Sequence, residues 1–81
     1  MTIIRSIQQL GQTLRAARKQ LGLTQSQLAL AAGVGVRFIV DLEAGKPTLR
    51  LGIVMRVIDA LGGEISLSGR PIDIENNERG T

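Results

Sequence analysis

The chain is 81 residues long and contains neither cysteine nor histidine. Disulfides and thiolate metal sites are thereby excluded, and the commonest general base and metal ligand is missing, so the composition argues against an enzyme and offers no cofactor or metal site. Up to Gly63 eight basic residues stand against three acidic ones, whereas from Glu64 onward two basic residues face four acidic ones. A basic body suits a polyanion, and an acidic end suits something else. This length and a single periodic region imply one domain, and a domain so small buries only about 60% of its unfolded-chain surface, so it often gains stability by pairing. The opening MTIIRSIQQL has too short an apolar run for a signal peptide, and nothing approaches a membrane span; the expected setting is the cytoplasm, with no membrane contact.

Residues 1–5 are expected to form an added turn or an arm. Ser6 and Gln9 have the spacing of a capping box, which starts a first helix near Ile7. Ile7, Leu10, Leu14, Ala17 and Leu21 recur at helical steps as its buried stripe, and Gly22 ends it. Thr24 and Gln27 repeat the capping-box spacing and start a second helix at Gln25. Leu28, Ala29, Ala31 and Ala32 give that helix a small apolar face, and Gly33 supplies the left-handed turn that stops it. A third helix is expected from about Val36 to Ala44, stopped in the same way by Gly45. Two helices of about eight residues, joined by a short glycine-containing turn, are the layout of a helix-turn-helix, whose second helix enters the major groove of DNA.

The third helix sorts its residues by angle. Ile39 and Leu42 share the core direction, while Val36, Arg37, Val40, Asp41 and Ala44 lie opposite. Valines on that side suit thymine methyl groups, Arg37 suits guanine O6 and N7 or a phosphate, and Asp41 suits cytosine N4. Val36, Arg37, Val40 and Asp41 are therefore the candidate base readers. Phe38, the single aromatic residue, lies between the two faces and is expected to be mostly packed. Thr48 is expected to cap a fourth helix with the stripe Leu51, Val54, Met55, Ile58 and Leu61, ended by Gly62 and Gly63. After it EISLS alternates, with Ile65 and Leu67 on one face. The chain offers no second strand, so an antiparallel pair with the same segment of a second copy is the expected solution, and Ile65 and Leu67 are the candidate dimerisation residues.

The run TQSQLALAAGVG, followed by Ile39 and LEAGK, resembles the phage-repressor (Xre/Cro-type) helix-turn-helix family. The match covers roughly Leu10 to Gly62 through Thr24, Gln25, Leu28, Ala29, Gly33, Val34, Ile39, Leu42, Glu43, Gly45 and Lys46. PTLRLGIVMRVIDALGGEISL, a helix followed at once by a short strand, is most similar to antitoxins of the HipB type. The resemblance implies an ion pair between Arg18 and Glu43, with a phosphate contact as the alternative role of Arg18. It also implies DNA phosphate contacts at Gln25, Lys46 and Arg50; Gln25 is otherwise an ordinary exposed first-turn residue. Gly35 stands where Ser or Thr commonly caps the third helix, so a looser start is expected there.

The expected fold is mainly α, a lambda-repressor-like helix-turn-helix domain of four or five helices. It occupies residues 1–68, including one short C-terminal β-strand at about 64–68 that pairs across a homodimer, and residues 69–81 form a flexible acidic tail. The leading functional expectation is a sequence-specific transcriptional repressor on double-stranded DNA. The resemblance implies the antitoxin of a HipBA-type toxin–antitoxin system: a homodimer on a palindromic operator that autoregulates its operon and binds a HipA-like kinase toxin. The alternatives are a stand-alone Xre-type regulator, in phage or restriction-modification control, and a helix-turn-helix fold used only for protein contacts.

Overall fold

Four helices make up the regular structure of residues 2–69, the part of the chain that a computed structural model describes. They are α1 (Ile7–Gln20), α2 (Gln25–Ala32), α3 (Val36–Glu43) and α4 (Leu51–Ala60). Of the three expected capping residues, Ser6 and Thr24 do their work. The Ser6 hydroxyl accepts from the Gln9 backbone N–H, and Thr24 and Gln27 complete a reciprocal capping box at the start of α2. Gly33 takes φ 70° and Gly45 φ 84°, the left-handed region that lets the chain leave α2 and turn after α3. The last helical residue of α3 is Glu43, with Ala44 as its C-cap.

The core is formed by Leu14, Leu28, Ala29, Ile39, Leu42, Val54, Val57 and Ile58, with Leu10, Ala32, Val34, Phe38 and Leu49 packed against it. Four of these side chains (Leu28, Ile39, Leu42 and Val57) are fully buried, each worth about 1.5–3 kcal/mol of transfer free energy. Phe38 is half-buried, as its angle implied.

The stripes of α1 and α4 differ from the expected ones. Ile7 and Leu21, at the two ends of α1, are exposed, and the buried line runs through Gly11, Leu14 and Arg18 instead. The reason lies at Gly11: a Cβ there would sit 2.4 Å from the Leu42 carbonyl oxygen and 2.9 Å from that of Glu43. Backbone thus crosses backbone where α1 meets α3, and that crossing sets which face of α1 is inward. A mid-helix glycine costs about 1 kcal/mol in helix propensity relative to alanine, which the close crossing offsets. In α4, Leu51 and Met55 are exposed, and Val57 takes the central place beside Val54 and Ile58. In α2, Ala31 is exposed; the inward face is Leu28, Ala29 and the half-buried Ala32.

The start of α4 also needs correction. Thr48 lies in a turn, and the N-cap is Arg50, with no side-chain capping bond. Leu49 packs on the core, so the chain begins the helix only after that anchor. Arg56 reaches back from α4 and donates from Nη2 to the Gly33 carbonyl at 3.0 Å, capping the end of α2.

No β-strand is present among the described residues. Ile65 and Leu67 are 58% and 79% exposed, and a lone extended segment has no ladder to join in a single chain. With Ile3, Ile4, Leu10, Leu14, Ile58 and Leu61 they line an apolar groove of about 840 Å³ between the N-terminal arm, α1 and the end of α4. The expected acidic tail, apart from Gly69, lies outside the described residues.

Replacing Gly11 with alanine should destabilise the domain by about 1–3 kcal/mol, the usual cost of overpacking. Urea denaturation followed by circular dichroism checks this. An unchanged or higher midpoint would mean that the α1–α3 crossing relaxes freely.

Candidate nucleic-acid interface

Helix α3 turns Ile39 and Leu42 into the core and leaves Val36 and Arg37 exposed, with Val40 and Asp41 half-buried beside them. The candidate readers therefore do share an outward face. Its start has no side-chain cap; Gly35 is the N-cap, and its carbonyl accepts from the Phe38 N–H at 3.1 Å. Arg37 and Asp41 stand one turn apart, with Arg37 Nε 3.3 Å from Asp41 Oδ1. Lys46, just beyond the Gly45 turn, places Nζ 3.7 Å from Asp41 Oδ2. The i,i+4 spacing of Arg37 and Asp41 could have been read from the chain; the approach of Lys46 depends on the turn. Arg50 is exposed at the start of α4.

Behind this face lies the ion pair that the resemblance implied. Arg18 Nε donates to Glu43 Oε2 at 2.6 Å and Nη2 to Oε1 at 3.0 Å, a two-pronged contact. The two side chains are only 9% and 4% exposed. Arg18 Nη1 also donates to the Leu23 carbonyl at 2.8 Å. Gln25 is partly drawn into the same cluster, its Nε2 donating to Glu43 Oε1 at 3.1 Å. An amide nitrogen carries two hydrogens, so this bond leaves Gln25 a second donor at the start of α2.

Burial pushes the Glu43 carboxyl up, but hydrogen bonds from Arg18 and Gln25, with the charges of Arg18 and Arg15, outweigh it and hold the group below its ordinary value. The hydrogen bond to Glu43 raises the Arg18 guanidinium against the opposing effect of burial.

An outward helix face that carries Arg37, a short glycine turn before it and the cationic Lys46 just after it define a DNA-binding helix-turn-helix. The helix-turn-helix family model (HTH_3) matches residues 14–67, and the chain belongs to that family, in its Xre-type branch. It is a transcriptional regulator of this type. The chain is 52% identical over 58 residues to an uncharacterised HTH-type transcriptional regulator, y4mF, of Sinorhizobium fredii, covering 72% of this chain and 76% of the relative. It is 43% identical over 51 residues to an uncharacterised HTH-type transcriptional regulator of Methanothermobacter thermautotrophicus, covering 63% and 74%. Among solved structures it is similar to HipB in the HipA–HipB–O2–O3 complex and in the HipB–O4 20mer complex. Each has a TM-score of 0.79 and 25% identity, over 88% of this chain and 100% of that one. Among the described residues no helix is long and apolar enough to cross a membrane, and no acidic cluster suits a metal ion.

The lowered carboxyl of Glu43 predicts a pH dependence. A group whose folded pKa is depressed stabilises the fold above its unfolded value, here about 4.5, and that stability is lost as pH falls through the lower folded value. Glu43→Gln should therefore be less stable than the parent at pH 7, with the gap closing in acid. Denaturation midpoints from pH 7 to pH 2 check it, and a gap of constant size would assign the loss of stability in acid to other carboxylates.

Proposed function

We propose that this regulator is the antitoxin of a HipBA-type pair: a homodimer that represses its own operon from a palindromic operator and binds a HipA-like kinase toxin in the cytoplasm. One observation carries the reading, namely the likeness to the whole of the HipB chain seen in solved structures, which include a complex with HipA. The exposed Ile65 and Leu67 and the apolar groove beside them support the dimer, since antiparallel pairing of two copies satisfies the backbone of residues 64–68 and covers both side chains. A dimer also serves recognition, because two copies of α3 must stand about 34 Å apart to enter successive major grooves. In this reading Val36, Arg37 and Val40 face base edges, and Gln25, Lys46 and Arg50 face phosphates.

The names of the curated relatives, which are transcriptional regulators without mention of a toxin, favour a stand-alone regulator as the second reading. Purification of the natively expressed protein with what binds it separates the two: a kinase-sized partner in fixed ratio supports the antitoxin, and recovery of the protein alone overturns it.

Arg37→Ala should weaken operator binding by about 1–3 kcal/mol and relax preference at one base pair, whereas Lys46→Ala should weaken all sequences alike and flatten the salt slope by about one unit. Fluorescence titrations against operator and scrambled DNA at several salt concentrations test both. Ile65→Asp with Leu67→Asp buries charge in the proposed interface; the variant should sediment as a monomer and lose high-affinity binding to the full palindrome while helix content persists. A dimer surviving at micromolar concentration would place the interface elsewhere.

A further inference from the structure

We propose that Asp41 reads no base itself but is a positioning residue that holds Arg37 in the orientation that reads guanine, and couples it to the phosphate-facing Lys46. The inference rests on α3 being the helix that enters DNA. As an ion pair, Asp41 Oδ1 lies 3.3 Å from Arg37 Nε, and Oδ2 faces Lys46 Nζ at 3.7 Å. Both oxygens of the carboxylate therefore face cations of the protein. Their exposures set the roles apart: the Arg37 side chain is 84% exposed and that of Asp41 19%. The acid is the fixed partner, and the arginine is the reaching one.

The nitrogen chosen matters. A contact at Nε occupies the inner edge of the guanidinium and leaves Nη1 and Nη2 for an end-on fork onto the O6 and N7 acceptors of a guanine. An arginine already held in that orientation loses less rotamer freedom on docking. As an independent reader of cytosine, Asp41 would have to leave both cations and meet the phosphate field with its charge uncompensated. Held between Arg37 and Lys46, it instead lets the face keep a net positive charge. Because Lys46 follows the Gly45 turn, the same carboxylate ties a backbone contact to a base contact.

Selection from randomised duplex DNA by the full-length protein, run in parallel for the parent, Asp41→Asn, Asp41→Ala, Arg37→Ala and the double alanine variant, tests this. Arg37→Ala and Asp41→Ala should flatten preference at the same base pair, each by about ten-fold, the order of one bidentate base contact. The double variant should lose no more than Arg37→Ala. Asp41→Asn, which keeps an acceptor, should retain part of the preference. Binding to non-specific DNA by Asp41→Ala should equal or exceed that of the parent, since a negative charge has left the face; a merely structural defect would weaken both kinds of binding. A changed preference at a different base pair in Asp41→Ala, or an intact one at the Arg37 base pair, overturns the proposal. If the parent selects no sequence, the DNA reading of α3 falls, and the proposal with it. A DNA-free measurement separates the two: the Arg37 Nε–H order parameter from NMR relaxation should be higher in the parent than in Asp41→Ala, and equal order parameters overturn the holding contact whatever the DNA result.

Discussion

The architecture depends on one buried carboxylate. Glu43 accepts two hydrogen bonds from Arg18 and one from Gln25, so α1, α2 and α3 meet on it, and Arg18 extends the hold to the Leu23 carbonyl. Helices of eight residues are too short to persist alone, so the mutual angle of α2 and α3 has to come from tertiary contacts. Glu43 is also the last residue of α3, where the helix dipole disfavours an anion. The arginine from α1 offsets that repulsion together with the cost of burial, and removing either partner leaves an uncompensated charge inside the protein.

Orienting α3 this way produces function on the side opposite the clamp. With Ile39, Leu42 and Glu43 fixed inward, Val36 and Arg37 have no choice but to face out, and the left-handed Gly45 carries Lys46 back beside Asp41. A rigid rear and a charged front suit a helix that must enter a groove as a unit, because side chains held in register before binding lose less entropy on binding. Gly11 serves the same end, letting the backbone of α1 lie directly against the last carbonyls of α3. The C-terminal side of the domain is built differently: Ile3, Ile4, Ile65 and Leu67 leave an apolar groove open to solvent, the kind of surface a small domain covers by association.

Local chemistry was legible in the chain. Ser6 with Gln9, Thr24 with Gln27, and the glycines at 33 and 45 act within a few residues of themselves, so their roles followed from spacing alone. The inward pair Ile39 and Leu42 followed from helical period, and the Arg18–Glu43 pair from resemblance. What remained hidden depended on neighbours distant in sequence. Periodicity defined an apolar stripe on α1 and α4 but not which edge of it the other helices would cover. Ile7, Leu21, Leu51 and Met55 were thus expected inside and lie outside, while Val57 took the centre. Nothing in the spacing singled out Gly11, whose role comes from the carbonyls of Leu42 and Glu43 that stand over it, and Thr48 looked like a cap until Leu49 was drawn to the core. The sequence by itself determined the helices, their stops and the class of protein, because those are written in short-range spacing. Only the tertiary structure decided the remaining polar contacts between elements, because the bonds from Arg56 to Gly33 and from Gln25 to Glu43, and the approach of Lys46 to Asp41, depend on how the helices cross and how the turns direct the chain.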